Sequence, residues 1–89
     1  MGAPHQRKVN PVVMAEQVLE LLDKVPGART VFLERTRNES IHLRTAKVND
    51  PEPDKWRKSK GFAEVGTYRV GITAREVCQD ILDTMRLIR

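Results

Sequence analysis

The spacing of hydrophobic residues changes twice along this 89-residue chain, and this change most restricts the folds it can adopt. Residues 10–27 have apolar side chains every three or four positions, the period of a helix with one buried face. Asn10 can cap such a helix, and Pro11 suits its first turn because proline lacks an N–H. Pro26 and Gly27 end the pattern,. The predicted apolar stripe consists of Met14, Val18, Leu21, Leu22 and Val25.

Residues 29–47 instead alternate between apolar and polar positions, which is typical of strands,. A polar turn at residues 37–40 divides this stretch, so we predict a β-hairpin,. Residues 62–72 alternate in the same way and predict a third strand, with a bulge at Gly66,. The inward-facing positions are expected to be Val31, Leu33, Ile41, Leu43, Tyr68, Val70 and Ile72.

The helical period returns after Thr73 and continues to the end of the sequence,. Thr73 and Glu76 have the spacing of a capping box, in which each side chain satisfies a backbone N–H of the other residue,. The stripe of this second helix contains Val77, Ile81, Met85 and Ile88, joined by Cys78 and Leu82.

These elements predict a small α+β domain over residues 10–89, in the order α-β-β-β-α,. We expect a three-stranded antiparallel sheet with both helices on one face and the opposite face open to water. Residues 1–9 show no periodicity and predict a flexible basic N-terminal arm.

Several classes of function have no support in the sequence. Cys78 is the single cysteine, which excludes an intrachain disulfide and favours a reducing, cytoplasmic location,. No apolar run is long enough to suggest a membrane span or a signal sequence,. His5 and His42 lack the spacing of metal ligands, and no motif for nucleophilic or phosphate chemistry is present,. We therefore expect neither catalysis nor a cofactor.

The positive charge is concentrated in the middle of the chain. Lysine and arginine number 16 against 12 acidic residues, a formal net charge of +4. The segment from Lys24 to Ile72 holds 11 of these cations and six acids, so the excess belongs to the sheet and its loops. Trp56 lies within a run of four cations, where an exposed indole could stack on a base while its neighbours contact phosphates,.

This pattern favours a nucleic-acid-binding module, with RNA or a single strand preferred over DNA. Arg44 and Arg69 are expected on the open sheet face, beside the basic loop. The predicted contact residues are Arg44, Lys55, Trp56, Arg57, Lys58, Lys60 and Arg69.

Two alternatives are consistent with the same residues. The sheet cations could be a solvated face, with Trp56 covering the core and the acids at residues 50–54 neutralising the basic run,. The protein could also be a protein-interaction module or small regulator, acting through an exposed sheet edge or its acidic helices, with a homodimer as one form.

The order of elements resembles that of double-stranded RNA-binding domains and of the small Alu-binding subunits of the signal recognition particle. The resemblance covers most of the chain but only as an order of elements. The first family has a lysine-rich start to its last helix, whereas residues 73–80, TAREVCQD, hold one arginine and two acids. This difference argues against binding across duplex grooves. The second family implies RNA binding on the open sheet face, which suits Arg44 and Arg69.

Overall fold

The computed structural model describes residues 10–48 and 61–88, and these form the predicted α-β-β-β-α arrangement. The elements are α1 (Pro11–Lys24), β1 (Arg29–Arg35), β2 (Ile41–Lys47), β3 (Phe62–Tyr68) and α2 (Ala74–Met85). The strands form an antiparallel sheet in the order β2-β1-β3, so β1 is central and the other two are edge strands of the described sheet.

Both helices pack on the same face of the sheet, as the sequence predicts. Val31 and Leu33 of β1 are fully buried there, in one apolar cluster with residues from both helices. Edge-strand residues Ile41 and Leu43 pack against this cluster. The helical members of the cluster are Met14, Ala15, Val18, Leu22, Val77 and Ile81.

The predicted helix caps are both present. The Asn10 side-chain oxygen accepts hydrogen bonds from the backbone N–H groups of Val12 and Val13, at 3.0 and 3.4 Å. At the start of α2, the Thr73 hydroxyl accepts from the Glu76 N–H, and the Glu76 carboxylate accepts from the Thr73 N–H, both at 3.2 Å. Each cap satisfies N–H groups that have no partner within the helix.

Replacing Asn10 with alanine is expected to lower the free energy of unfolding by about 1 kcal/mol, because two N–H groups lose their acceptor,. Urea denaturation followed by circular dichroism measures this change. Asn10→Asp keeps an acceptor oxygen and is the control, expected to remain within a few tenths of a kcal/mol of the native protein. Equal losses in the two variants would contradict a capping role.

The third strand is shorter than the sequence predicts. It ends at Tyr68, and Val70 is 64% exposed, so the prediction that Val70 lies in the core is wrong. Tyr68 is already paired with Arg29, the first residue of β1, so the neighbouring strand offers no partner further along. The chain then turns at Gly71, whose φ of 106° suits glycine,.

The bulge lies beside Gly66, as predicted. Gly66 pairs with Val31 and Glu64 with Phe32, so Val65 is an extra residue in β3,. A Cβ atom on Gly66 would lie 2.9 Å from the Tyr68 hydroxyl. Because Gly66 has no side chain, the Tyr68 ring has room on the helix side of the sheet.

The sheet face away from the helices, here called the reverse face, is not fully open to water as predicted. Phe32 of β1 lies on it and is only 1% exposed, and Ala46 of β2 is also buried. The Phe32 and Phe62 rings form a T-shaped pair, with 5.4 Å between centroids. The reverse face therefore has an apolar centre instead of a purely polar surface.

Candidate nucleic-acid interface and helix groove

Five of the seven predicted contact residues lie outside the described part of the chain. They are Lys55, Trp56, Arg57, Lys58 and Lys60. Their role in binding stays a prediction from the sequence. The structure places the other two, Arg44 and Arg69, in different surroundings.

Arg44 lies on the reverse face, as expected, but it already has protein partners. It is paired across the strands with Phe32, and its Nε is 3.5 Å from an oxygen of Glu34. Its guanidinium carbon lies 6.0 Å from the centroid of the Phe62 ring, within reach of a cation–π contact,. These neighbours hold the side chain in place and offset part of its charge, so Arg44 is a weaker phosphate ligand than the sequence suggests.

Arg69 does not lie beside Arg44 on a strand face. Because β3 ends at Tyr68, Arg69 lies just past the end of the sheet and is exposed. Its carbonyl accepts a hydrogen bond from the Ile72 N–H at 3.2 Å, which closes the turn towards α2. Arg69 is therefore not part of the third strand, where the sequence placed it.

The strand register brings Arg69 close to two other cations. Arg29 begins β1 and is paired with Lys47 on one side and with Tyr68, the neighbour of Arg69, on the other. Adjacent strands are about 4.8 Å apart, so the backbone positions of the three cations span roughly 10 Å across one end of the sheet. We call Arg29, Lys47 and Arg69 the cationic end.

Two hydrogen bonds are made by residues in or next to the cationic end. The Arg29 Nε donates to the Thr45 hydroxyl at 3.3 Å, which restricts the guanidinium group. The buried Tyr68 hydroxyl donates to Asp80 of α2 at 2.6 Å and joins the end of β3 to the helix layer. Burial of the Tyr68 ring, together with the hydrogen bond to Asp80 and its charge, raises the pKa of this phenol above its ordinary value,.

Helix α1 also ends near the cationic end. A cavity of about 190 Å³ is lined by Leu22 and Asp23 near the end of α1 and by residues 70–72 before α2. Lys24, the last residue of α1, is exposed and adds positive charge to this region, while Asp23 offsets part of it.

A second surface feature lies between the two helices. It is an apolar groove of about 300 Å³ lined by residues of the two helices, here called the helix groove. The end of α1 lies near the segment that leads into α2, because Leu22, Asp23 and residues 70–72 line one cavity, so the two helices run in opposite directions. The residues that line the helix groove are Val12, Ala15, Ala74, Arg75, Cys78, Gln79 and Leu82.

The sequence reasoning missed both of these groupings. Arg29 and Lys47 were recognisable as cations, but only the antiparallel register shows that they share one end of the sheet with Arg69. Val12 and Leu82 lie at the border of their apolar stripes, and the periodicity does not show that they remain exposed. The pairing of β1 with β2 was inferable from the hairpin, but the pairing of β1 with β3 was not.

The described residues show neither a metal-binding cluster nor a membrane-spanning helix. Within residues 10–48 and 61–88, no three His, Cys, Asp or Glu side chains are placed to hold one metal ion. Neither of the two helices in these ranges is long and apolar enough to cross a membrane. No family model, curated protein or solved structure is significantly similar to this chain.

Proposed function

We propose that the protein binds RNA or another single-stranded nucleic acid, with phosphates held at the cationic end. The observation that carries this proposal is the register of β1, which brings Arg29, Lys47 and Arg69 together from three separate segments. Exposed lysine and arginine side chains neutralise phosphates and release counterions, which supplies most of the affinity of such modules. The basic run at residues 55–60 and Arg44 are further proposed contacts, taken from the sequence.

The preference for single strands has three supports. Arg29, Lys47 and Arg69 form a short cluster instead of a long stripe, so it contacts few phosphates. The first turn of α2 carries Glu76 and a single cation, Arg75, which is a poor surface for the two strands of a duplex. Trp56, the single tryptophan in the sequence, offers a ring for stacking on an unpaired base,.

The test is fluorescence anisotropy with a labelled single-stranded RNA of mixed sequence, at two salt concentrations. The same sequence as DNA and as duplex RNA provides the comparison. We expect micromolar affinity for the single-stranded RNA at low salt. For single strands, the logarithm of the affinity falls with the logarithm of the salt concentration, with a slope of about 0.7 per neutralised phosphate. If four phosphates are neutralised, a fourfold increase in salt should therefore lower the affinity about 50-fold. Absence of binding at low salt would overturn the proposal.

A pair of double variants tests the location of the site. Lys47→Ala with Arg69→Ala should weaken binding and reduce the logarithmic salt slope by about 1.4, because two phosphate contacts are lost. Arg75→Ala with Arg86→Ala removes the same charge from exposed positions in and after α2 and should have little effect. Equal losses in both double variants would mean that net charge alone drives binding, and that the cationic end is not the site.

A further inference from the structure

We propose that the helix groove binds an amphipathic helix of a partner protein, with apolar side chains one turn apart and lysine or arginine beside them. The base of the groove consists of small side chains, Ala15, Ala74 and Cys78, so a partner can approach closely. Val12 and Leu82 border it and are exposed, although both are apolar. The groove volume of about 300 Å³ equals that of roughly ten water molecules, enough for side chains to enter,.

The shape of the site favours a helix as the occupant. The groove runs between two antiparallel helices, whose backbone groups are already paired within each helix,. It therefore offers side chains but no free backbone donors or acceptors, and an extended strand would gain no ladder of hydrogen bonds. A helix pairs its own backbone and presents apolar residues at i, i+3 and i+4 to such a groove.

The charge of the two helices favours a basic partner. Together α1 and α2 carry six carboxylates against two cations. Of the six carboxylates, Asp80 accepts from Tyr68 and Glu76 caps α2. Glu16 is exposed one turn after Val12, and the exposed Asp83 follows Leu82, so acids lie close to both apolar borders. Arg75 is the only charged residue among the described groove-lining residues, so the acids lie beside the groove and not within its lining. Lysine or arginine on the flanks of a partner helix would complement this surface.

The same charge disfavours a second copy of this chain as the occupant. Two copies that met through the helix groove would bring two surfaces of like charge together, which costs binding energy. This surface also differs in chemistry from the cationic end, so the proposal does not depend on nucleic-acid binding. A protein with both sites would join a nucleic acid to a basic partner protein.

The test uses two synthetic amphipathic peptides that share leucines one turn apart and differ only in their flanking residues, lysine in one and glutamate in the other. Cys78 lines the groove and is the single cysteine in the sequence, so its alkylation rate reports occupancy directly. We expect the lysine peptide to protect Cys78 at micromolar concentration in physiological salt. The glutamate peptide should bind at least tenfold more weakly. Equal affinity for both peptides, or no protection by either, would overturn the proposal.

Two neighbouring valines provide a matched pair of variants. Val12 and Val13 are 54% and 45% exposed in the same first turn of α1, and both N–H groups bond to Asn10. Lysine at either position has a similar effect on the helix, but Val12 borders the groove while Val13 is not among its lining residues. Val12→Lys should weaken the lysine peptide at least tenfold, and Val13→Lys should not.

The remaining outcomes are also decisive. Equal loss in both valine variants would contradict a groove site. A protein that is dimeric without peptide, and monomeric only as Val12→Lys, would show that a second copy is the occupant. If Val12→Lys fails to fold, the comparison of the two peptides on the native protein still tests whether the groove binds a basic helix. RNA binding by Val13→Lys and the native protein is measured separately, so the failure of one site is distinguishable from the failure of the other.

Discussion

Replacing Phe32 with alanine is expected to lower the free energy of unfolding by about 3–5 kcal/mol. Phe32 is 1% exposed and lies in the central strand, but on the reverse face, away from the helices. Alanine would remove the ring that packs against Phe62 and leave a cavity there,. Since small domains are stable by only about 5–15 kcal/mol, this variant should be close to unfolding at room temperature.

Chemical denaturation measures the loss, and two further variants locate its cause. Phe32→Leu keeps most of the apolar volume and should cost less than half as much. Thr30→Ala changes a residue on the same face of β1, where its hydroxyl shares a hydrogen bond with that of Thr67, and should cost about 1 kcal/mol,. A loss below about 1 kcal/mol in Phe32→Ala would show that the reverse face contributes little to stability.

Replacing Tyr68 with phenylalanine is expected to lower the free energy of unfolding by about 1.5–3 kcal/mol, because a hydrogen bond to a charged group is lost. The Tyr68 hydroxyl donates to the Asp80 carboxylate at 2.6 Å, and this bond connects the end of β3 to α2. The variant leaves Asp80 without this donor. Tyr68→Phe combined with Asp80→Asn should recover part of the loss, because a neutral amide without a hydrogen-bond donor costs less free energy than a carboxylate without one.

The same hydrogen bond predicts a dependence on alkaline pH. Burial of Tyr68, with the bond to Asp80 and its charge, raises the pKa of the phenol in the folded state above the value of about 10 in the unfolded chain,. The contribution of this group is therefore fully present below about pH 10. It is lost as pH rises from there towards the folded-state pKa, by up to about 1.4 kcal/mol per pH unit.

Tyrosinate absorbance isolates this effect, because Tyr68 is the single tyrosine in the sequence. The absorbance should appear only well above pH 10, together with loss of helical circular dichroism. The alkaline loss of stability should be steeper in the native protein than in Tyr68→Phe, which separates the phenol from the lysines that titrate in the same range. An ordinary titration near pH 10 in the folded protein would contradict the raised pKa.

The helices could be predicted from the sequence because their signals are local. Asn10 with Pro11, and Thr73 with Glu76, satisfy N–H groups two or three residues away, so the chain specifies these ends without help from distant residues,. The order of the elements and the inward face of β1 also follow from local periodicity,.

The end of β3 could not be predicted in the same way. Val70 and Ile72 continue the alternation past Tyr68, but a strand needs a partner, and β1 has no residue before Arg29 to pair with them. The position of Arg69 depends on this end, so its assignment to the third strand was wrong as well. The length of β3 is therefore set by the partner strand and not by the sequence of β3 itself.

The burial of Phe32 and the grouping of the cationic end could not be predicted from the sequence, for a related reason. Alternation shows that Phe32 points away from Val31 and Leu33, but not whether that side is open to water. The cations of the cationic end are far apart in the sequence and become neighbours only when β3 joins β1. Both features depend on which strand is central.

The central position of β1 has a consequence for the folding pathway. Its pairing with β2 spans a five-residue turn, whereas 26 residues separate the end of β1 from the start of β3. Closing the longer loop costs more chain entropy before any contact is gained, so the hairpin should form early and β3 should add later. Late arrival of β3 would leave one edge of β1 exposed in the nascent protein, at the stage when strand edges are most prone to aggregation.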